Sequence, residues 1–131
     1  MRKSKYFSER EFELCTPACS MQDMQQSTLS KFDTAREIAG IPFVINSAYR
    51  SVEWEKMKGR SGTGAHTLGR AMDIRCHSDR NRFKVIDALI QAGFTRIGIA
   101  KTYIHADDSE NHTGEGPGCI NCLQIFNEYE T

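Results

Sequence analysis

The chain has no apolar run near the ~20 residues that a membrane-spanning helix requires. It has no charge imbalance either: Lys+Arg and Asp+Glu number 17 each, for a formal net charge of zero. Bulk electrostatics therefore favour neither a nucleic acid nor a membrane surface as partner. The opening residues, MRKSKYFSEREFEL, are basic but contain no apolar core of the kind a secretory signal needs. The expectation is synthesis and folding in a cytoplasm without a signal peptide. Should the substrate lie outside, another agent must deliver the protein or open the membrane. A phosphate loop is missing too. GRSGTGA (59–65) is glycine-rich, but Ala65 and His66 stand where a Lys-Ser or Lys-Thr pair would follow. There is no internal repeat and no interdomain linker.

What is present describes one globular domain. Apolar residues make up 39% and charged residues 26%, a balance that separates the chain from disordered sequences. A length of 131 residues suffices for a single hydrophobic core, so residues 1–131 are read as one domain. Its tail, polar and glycine-rich from about residue 108, carries two cysteines.

Ser8 with Glu11 forms a capping-box pattern for a short helix from residue 9. Met21, Met24, Thr28, Phe32, Ala35 and Ala39 recur at helical spacing over 21–39, and Gly40 and Pro42 stop that helix. FVIN (43–46) reads as a buried strand, and Ser51 caps a short helix that ends at Gly59. AMDIRC alternates, with Met72 and Ile74 on one side and Ala71, Asp73 and Arg75 on the other. Ser78 opens a helix over 79–92 with Phe83, Ile86, Leu89 and Ile90 on one face. RIGIA (96–100) and YIHA (103–106) read as a hairpin, and CLQIF (122–126) as a last strand. Helices followed by strands and a hairpin indicate an α+β domain with a small, mainly antiparallel sheet flanked by helices.

Three residues suggest a metal centre. Hydrolytic zinc sites use three protein ligands and keep a fourth position open. His66 and Asp73 supply two suitable ligands seven positions apart. On YIHAD, alternation puts Tyr103, His105 and Asp107 on one face, so a neighbouring strand would set His105 opposite Asp73 across ~5 Å. Gly64 and Gly69 give the backbone freedom to bring His66 over Asp73. A carboxylate between Met72 and Ile74 needs a partner in any case. A metal is one answer; an ion pair with Arg50 or Arg75 is the other.

The five cysteines fall mostly into two close pairs, CTPAC (Cys15, Cys19) and CINC (Cys119, Cys122). One reading is a second, structural zinc held by all four. Local disulfides, free thiols and a redox role are the alternatives. Cys76 reads as a small buried residue, and His77 and His112 as surface residues. Trp54 is assigned to the core or to a substrate groove.

INSAYRS (45–51), GAHTLGRAMDI (64–74) and YIHAD (103–107), in that order, resemble the zinc-dependent D-Ala-D-Ala peptidases of family M15. The small bacterial and phage branch is the nearest in pattern. YFSEREFEL and REIAGIPFVINSAYRS extend the resemblance over roughly residues 6 to 107. It implies a Hedgehog/DD-peptidase-like fold and hydrolysis of peptide bonds in peptidoglycan stem peptides, as a carboxypeptidase or as an endopeptidase beside a D-amino acid. It implies one catalytic Zn2+ held by His66, Asp73 and His105, and Arg50 as the group that holds a substrate carboxylate or polarises the scissile carbonyl. Tyr49 joins Arg50 as a substrate contact. The implied partner is a stem peptide, with no nucleic acid or membrane, and the protein acts as a monomer in the manner of a phage endolysin.

The sequence departs from the family pattern in two places. Many members carry Asp or Glu three residues before the last histidine as general base; Thr102 stands there. Asp107 is the remaining nearby acid, either as base or as the orienter of His105. VEWEKMKGRSG replaces the asparagine and glycine pair that often follows SAYRS. The alternative function is accordingly a metal-binding, non-catalytic module for cell-wall peptides.

Overall fold

The computed structural model describes residues 1–109 and 124–127. Among the described residues, four α-helices and five strands follow one another as α1 (Glu9–Glu13), α2 (Gln26–Ala39), β1 (Ile45–Ser47), α3 (Val52–Met57), β2 (Ala71–Arg75), α4 (Asp79–Ala92), β3 (Arg96–Ile99), β4 (Tyr103–Asp107) and β5 (Gln124–Asn127). The architecture is α+β, with a single sheet in the order β1-β2-β4-β3-β5. Every pairing is antiparallel except that of β3 with β5. Among the described residues no helix is long and apolar enough to cross a membrane.

The helix starts follow their caps. Glu11 accepts a bond from the Ser8 N–H at 2.7 Å, Ser51 Oγ accepts from Trp54 N, and Ser78 Oγ accepts from Asn81 N. Gly40 closes α2 in the left-handed conformation at φ 69°. The helix expected over 21–39 is divided. A 3₁₀ turn, Met21–Asp23, is closed by Ser20 and Asp23, and Met24 is extended at ψ 153°. The division has a physical reason: the Gln25 N–H is spent on the Gly69 carbonyl at 2.9 Å, outside the helix ladder.

The first strand is also displaced from 43–46 to Ile45–Ser47, with Phe43 buried ahead of it. In α4 the buried face is Val85, Ala88 and Leu89, and Phe83 is 72% exposed. Phe83 sits one position off the stripe that α2 covers, which a helical period alone does not reveal.

The two faces of the sheet differ in chemistry. Met72, Ile74, Ile97, Ile104 and Ala106 lie on one face, all at 0% exposure, and pack with Leu29, Phe32, Val85, Ala88 and Leu89 into the core. Each large side chain buried there contributes ~2 kcal/mol. Phe32 and Phe94 pack in a tilted pair with ring centroids 4.3 Å apart. The opposite face carries Asp73 and Arg75 from β2, Tyr103, His105 and Asp107 from β4, and Arg96 and Gly98 from β3, as the alternation requires. The helices cover the first face, so the polar face is left for chemistry.

Candidate metal centre and active site

His105 pairs directly with Asp73 across β2 and β4, so the register itself brings imidazole and carboxylate together. His66 reaches them from a 3₁₀ turn, Ala65–Leu68, between Gly64 and Gly69. Gly64 has an ordinary extended backbone and open space around it. Gly69 is the required glycine: its φ is +70°, and a Cβ there would collide with the Asp23 carbonyl oxygen. The turn is pinned to the site by Arg50 N–H donating to the His66 carbonyl at 3.2 Å.

The ligand atoms of His66, Asp73 and His105 lie within 4.8 Å of one another, and all three residues are buried. Each ring nitrogen has a distinct assignment. His66 Nδ1–H donates to the Ala48 carbonyl at 2.6 Å, which leaves its Nε2 lone pair aimed into the cluster. That Nε2 is buried and has no hydrogen-bond partner, although Asp73 Oδ1 is 3.3 Å away. His105 Nε2 bonds Asp107 Oδ2 at 2.6 Å, and its Nδ1 faces Asp73 Oδ1 at 3.0 Å. Asp107 is 1% exposed, accepts a second bond from Ser109 N–H, and has Arg96 Nε 3.4 Å from Oδ2. Two imidazoles and a carboxylate converge, their other atoms are committed outward, and one buried nitrogen is orphaned. This donor set fits a divalent transition metal such as zinc.

The electrostatics agree. Burial raises the Asp73 pKa, but hydrogen bonding to His105 and the approach of His66 outweigh it and hold the carboxyl well below the usual carboxylate range. Burial lowers the His105 pKa, yet the bonds to Asp107 and Asp73 lift it to about 9. In the metal-free cluster a proton on His105 supplies the positive charge that two flanking carboxylates call for.

Arg50 closes the cluster on the side away from Asp107. Its Nη2 is 2.8 Å from Asp73 Oδ2, its Nε donates to Ser47 Oγ at 2.9 Å, and its Nη1 is 3.5 Å from Glu55 Oε1. Asp73 thus forms the ion pair with Arg50 considered from the sequence, through Oδ2, while its Oδ1 faces the two histidines. Ser47 is opposite Asp73 because the register slips at Asn46. Glu55 is buried, and Arg60 grips its Oε2 at 2.6 Å.

The peptidase M15 family model covers residues 5–107. The chain belongs to the peptidase M15 family. Comparison with curated proteins finds no match. Membership makes this M15 chain a peptidase by family.

Other expected positions fall elsewhere. Thr102 is exposed on the β3–β4 turn, where its carbonyl accepts from Cys76 N–H. Tyr49 is half-buried against the core. Trp54 lies beneath the cations of Arg50, Lys58 and Arg60 at 5.9, 5.2 and 5.3 Å. Cys15 and Cys19 are free thiols beside each other. Their mutual hydrogen bond, with burial, raises Cys15, and the same bond lowers Cys19. Cys119, Cys122 and His112 lie outside the described residues. Cys76 is buried and His77 exposed.

Sequence reasoning passed over Glu55, Arg60 and Phe126. Phe126 lies beside His105 with ring centroids 5.8 Å apart, above Gly98, its neighbour in register. Glu55 had no sequence signal: Arg50 precedes the Ser51 cap of α3, and the turn into that helix is what brings the two together.

Proposed function

We propose that this M15 chain is a zinc-dependent metallopeptidase that hydrolyses peptide bonds in peptidoglycan stem peptides, as a D-Ala-D-Ala carboxypeptidase or as an endopeptidase beside a D-amino acid. The observation that carries the reading is the orphaned, buried His66 Nε2 aimed at Asp73 Oδ1 and His105 Nδ1, next to the Arg50 guanidinium. His66 Nε2, Asp73 Oδ1 and His105 Nδ1 are the atoms that would hold the ion. A bound zinc supplies Lewis acidity there, polarising a carbonyl and acidifying a water.

The chain's own groups prepare that chemistry. The Ala48 carbonyl fixes the His66 tautomer. Asp107 accepts a hydrogen bond from His105 Nε2–H, which leaves Nδ1 as the atom that would face the ion; we assign Asp107 the role of positioning residue. Ser47 and Glu55 hold the Arg50 fork, which donates to the negative charge that develops on the scissile carbonyl oxygen. Substrate contact runs through Arg50, and the half-buried Tyr49 supports the segment that carries it. The protein works as a monomer on wall peptide.

A second reading, peptide binding without hydrolysis, draws on Thr102, which puts no carboxylate at the position where many relatives keep their base. Incubating zinc-loaded protein with purified muropeptides and following masses separates the two. Loss of a D-alanine or a stem fragment is expected. Intact muropeptides in the presence of bound zinc would favour the second reading.

A further inference from the structure

A cavity of about 440 Å³ opens beside the cluster, with Asp73 and Arg50 at one end and Arg75 and Tyr103 at the other. Arg75 and Asp73 share a strand face two residues apart, which sets them ~7 Å apart along β2. The Arg75 backbone is fixed, because its N–H donates to the Val44 carbonyl at 2.8 Å. Its side chain is exposed, and among the described residues it forms no ion pair. The other arginines of this face and its surroundings do: Arg50 with Asp73, Arg60 with Glu55, and Arg96 with Asp107. Asp73 is the carboxylate of the cavity wall, and its oxygens are already met by two histidines and Arg50. Among the described residues the Arg75 end therefore presents a guanidinium without an ion pair, in a cavity whose other lining includes the neutral Asn46 and Tyr103.

We infer that Arg75 is a second substrate-binding residue that receives a carboxylate of the peptide. A guanidinium fork matches a carboxylate in two parallel bonds and stays charged at any working pH. An extended peptide advances ~3.3–3.6 Å per residue, so the ~7 Å between Asp73 and Arg75 places that carboxylate one to two residues from the scissile bond. Two sources present the same chemistry at that distance: a free C-terminal carboxylate or an acidic side chain. The inference rests on the reading of the substrate as a peptide and deepens it, since it makes the enzyme selective for acid over amide.

The test reads binding and cleavage separately. Zinc-loaded protein is mixed with a dye-labelled stem peptide, and fluorescence anisotropy is read before turnover. Three peptides are compared: the free acid, the C-terminal amide, and the form amidated on its acidic side chains. The expected result is a loss of about ten- to hundredfold in affinity on amidating one of the two positions. Arg75→Met abolishes that difference while leaving the amide's affinity unchanged, and Arg75→Lys restores part of it. The amide that loses affinity identifies the source. The inference is overturned if Arg75→Met weakens acid and amide equally, if it changes neither, or if no peptide binds. Acid-selective binding that disappears in Arg75→Met without any cleavage product keeps the carboxylate site and removes hydrolysis. Cleavage indifferent to amidation keeps hydrolysis and removes the site.

Discussion

Replacing Asp107 by asparagine separates two jobs that a carboxylate at this position can do. Asp107 is buried and accepts the His105 Nε2–H at 2.6 Å, on the ring nitrogen facing away from Asp73 and His66. Asparagine keeps the shape and can still accept that bond, but it removes the charge. A charge-assisted bond is worth ~1.5–3 kcal/mol and a neutral one ~0.5–1.5, so the change costs about 1–1.5 kcal/mol. That is roughly a tenfold loss of zinc affinity, at the lower edge of the ~10–100-fold usual for removing a partner of a ligating histidine. A competition titration against a chromophoric chelator measures it. Activity at saturating zinc should then return to within about tenfold of wild type. Unchanged zinc affinity with kcat down ~100-fold or more would refute the positioning role and make Asp107 the proton acceptor.

Zinc uptake at pH 7 should release close to one proton from His105, because the ion takes Nδ1 in place of a proton held with a pKa of about 9; calorimetry in buffers of different ionisation enthalpy counts it. For the metal-free protein, the raised His105 contributes stability that is full below pH 6.5 and lost as pH rises through about 9. The lowered Asp73 contributes stability that is present above pH 3.8 and lost as pH falls through its folded value. Melting temperature against pH should therefore show a plateau between these limits, and a maximum above pH 9 would contradict the pairing. Glu55→Gln should leave zinc affinity unchanged, cost about 1–3 kcal/mol in urea unfolding, and lower kcat/KM about tenfold by loosening Arg50; a weakened zinc affinity would show that Glu55 acts on the cluster instead. Gly69→Ala should destabilise far more than Gly40→Ala. Both have a positive φ, worth ~1–2 kcal/mol for alanine, but Gly40 has open space where Gly69 meets the Asp23 backbone. Denaturant midpoints for the two variants check the order.

The local rules that survive folding are those whose physics is local. Ser8, Ser51 and Ser78 start their helices, and Gly40 ends one, because a cap satisfies backbone groups within a turn of itself. Alternation placed Asp73 and His105 on facing positions, because a strand has a period of two whatever surrounds it. The helix over 21–39 broke for a non-local reason, the bond from Gln25 to Gly69. The face of α4 turned away from Phe83 because α2, distant in sequence, decides which stripe is covered.

For the site, the residue types and spacing of His66, Asp73 and His105 were enough to nominate a metal centre, since ligand chemistry and strand period are properties of the chain alone. The tertiary structure alone decided which lone pairs are free. Ala48 and Asp107 take the outward ring nitrogens, and both assignments depend on how separate segments pack. The slip at Asn46 that sets Ser47 under Arg50, the grip of Arg60 on Glu55, and the parallel β5 that brings Phe126 to His105 likewise have no local signature. Hydrogen-bond direction and register are fixed by contacts across the fold, and for that reason a sequence can name the ligands while only the folded chain can orient them.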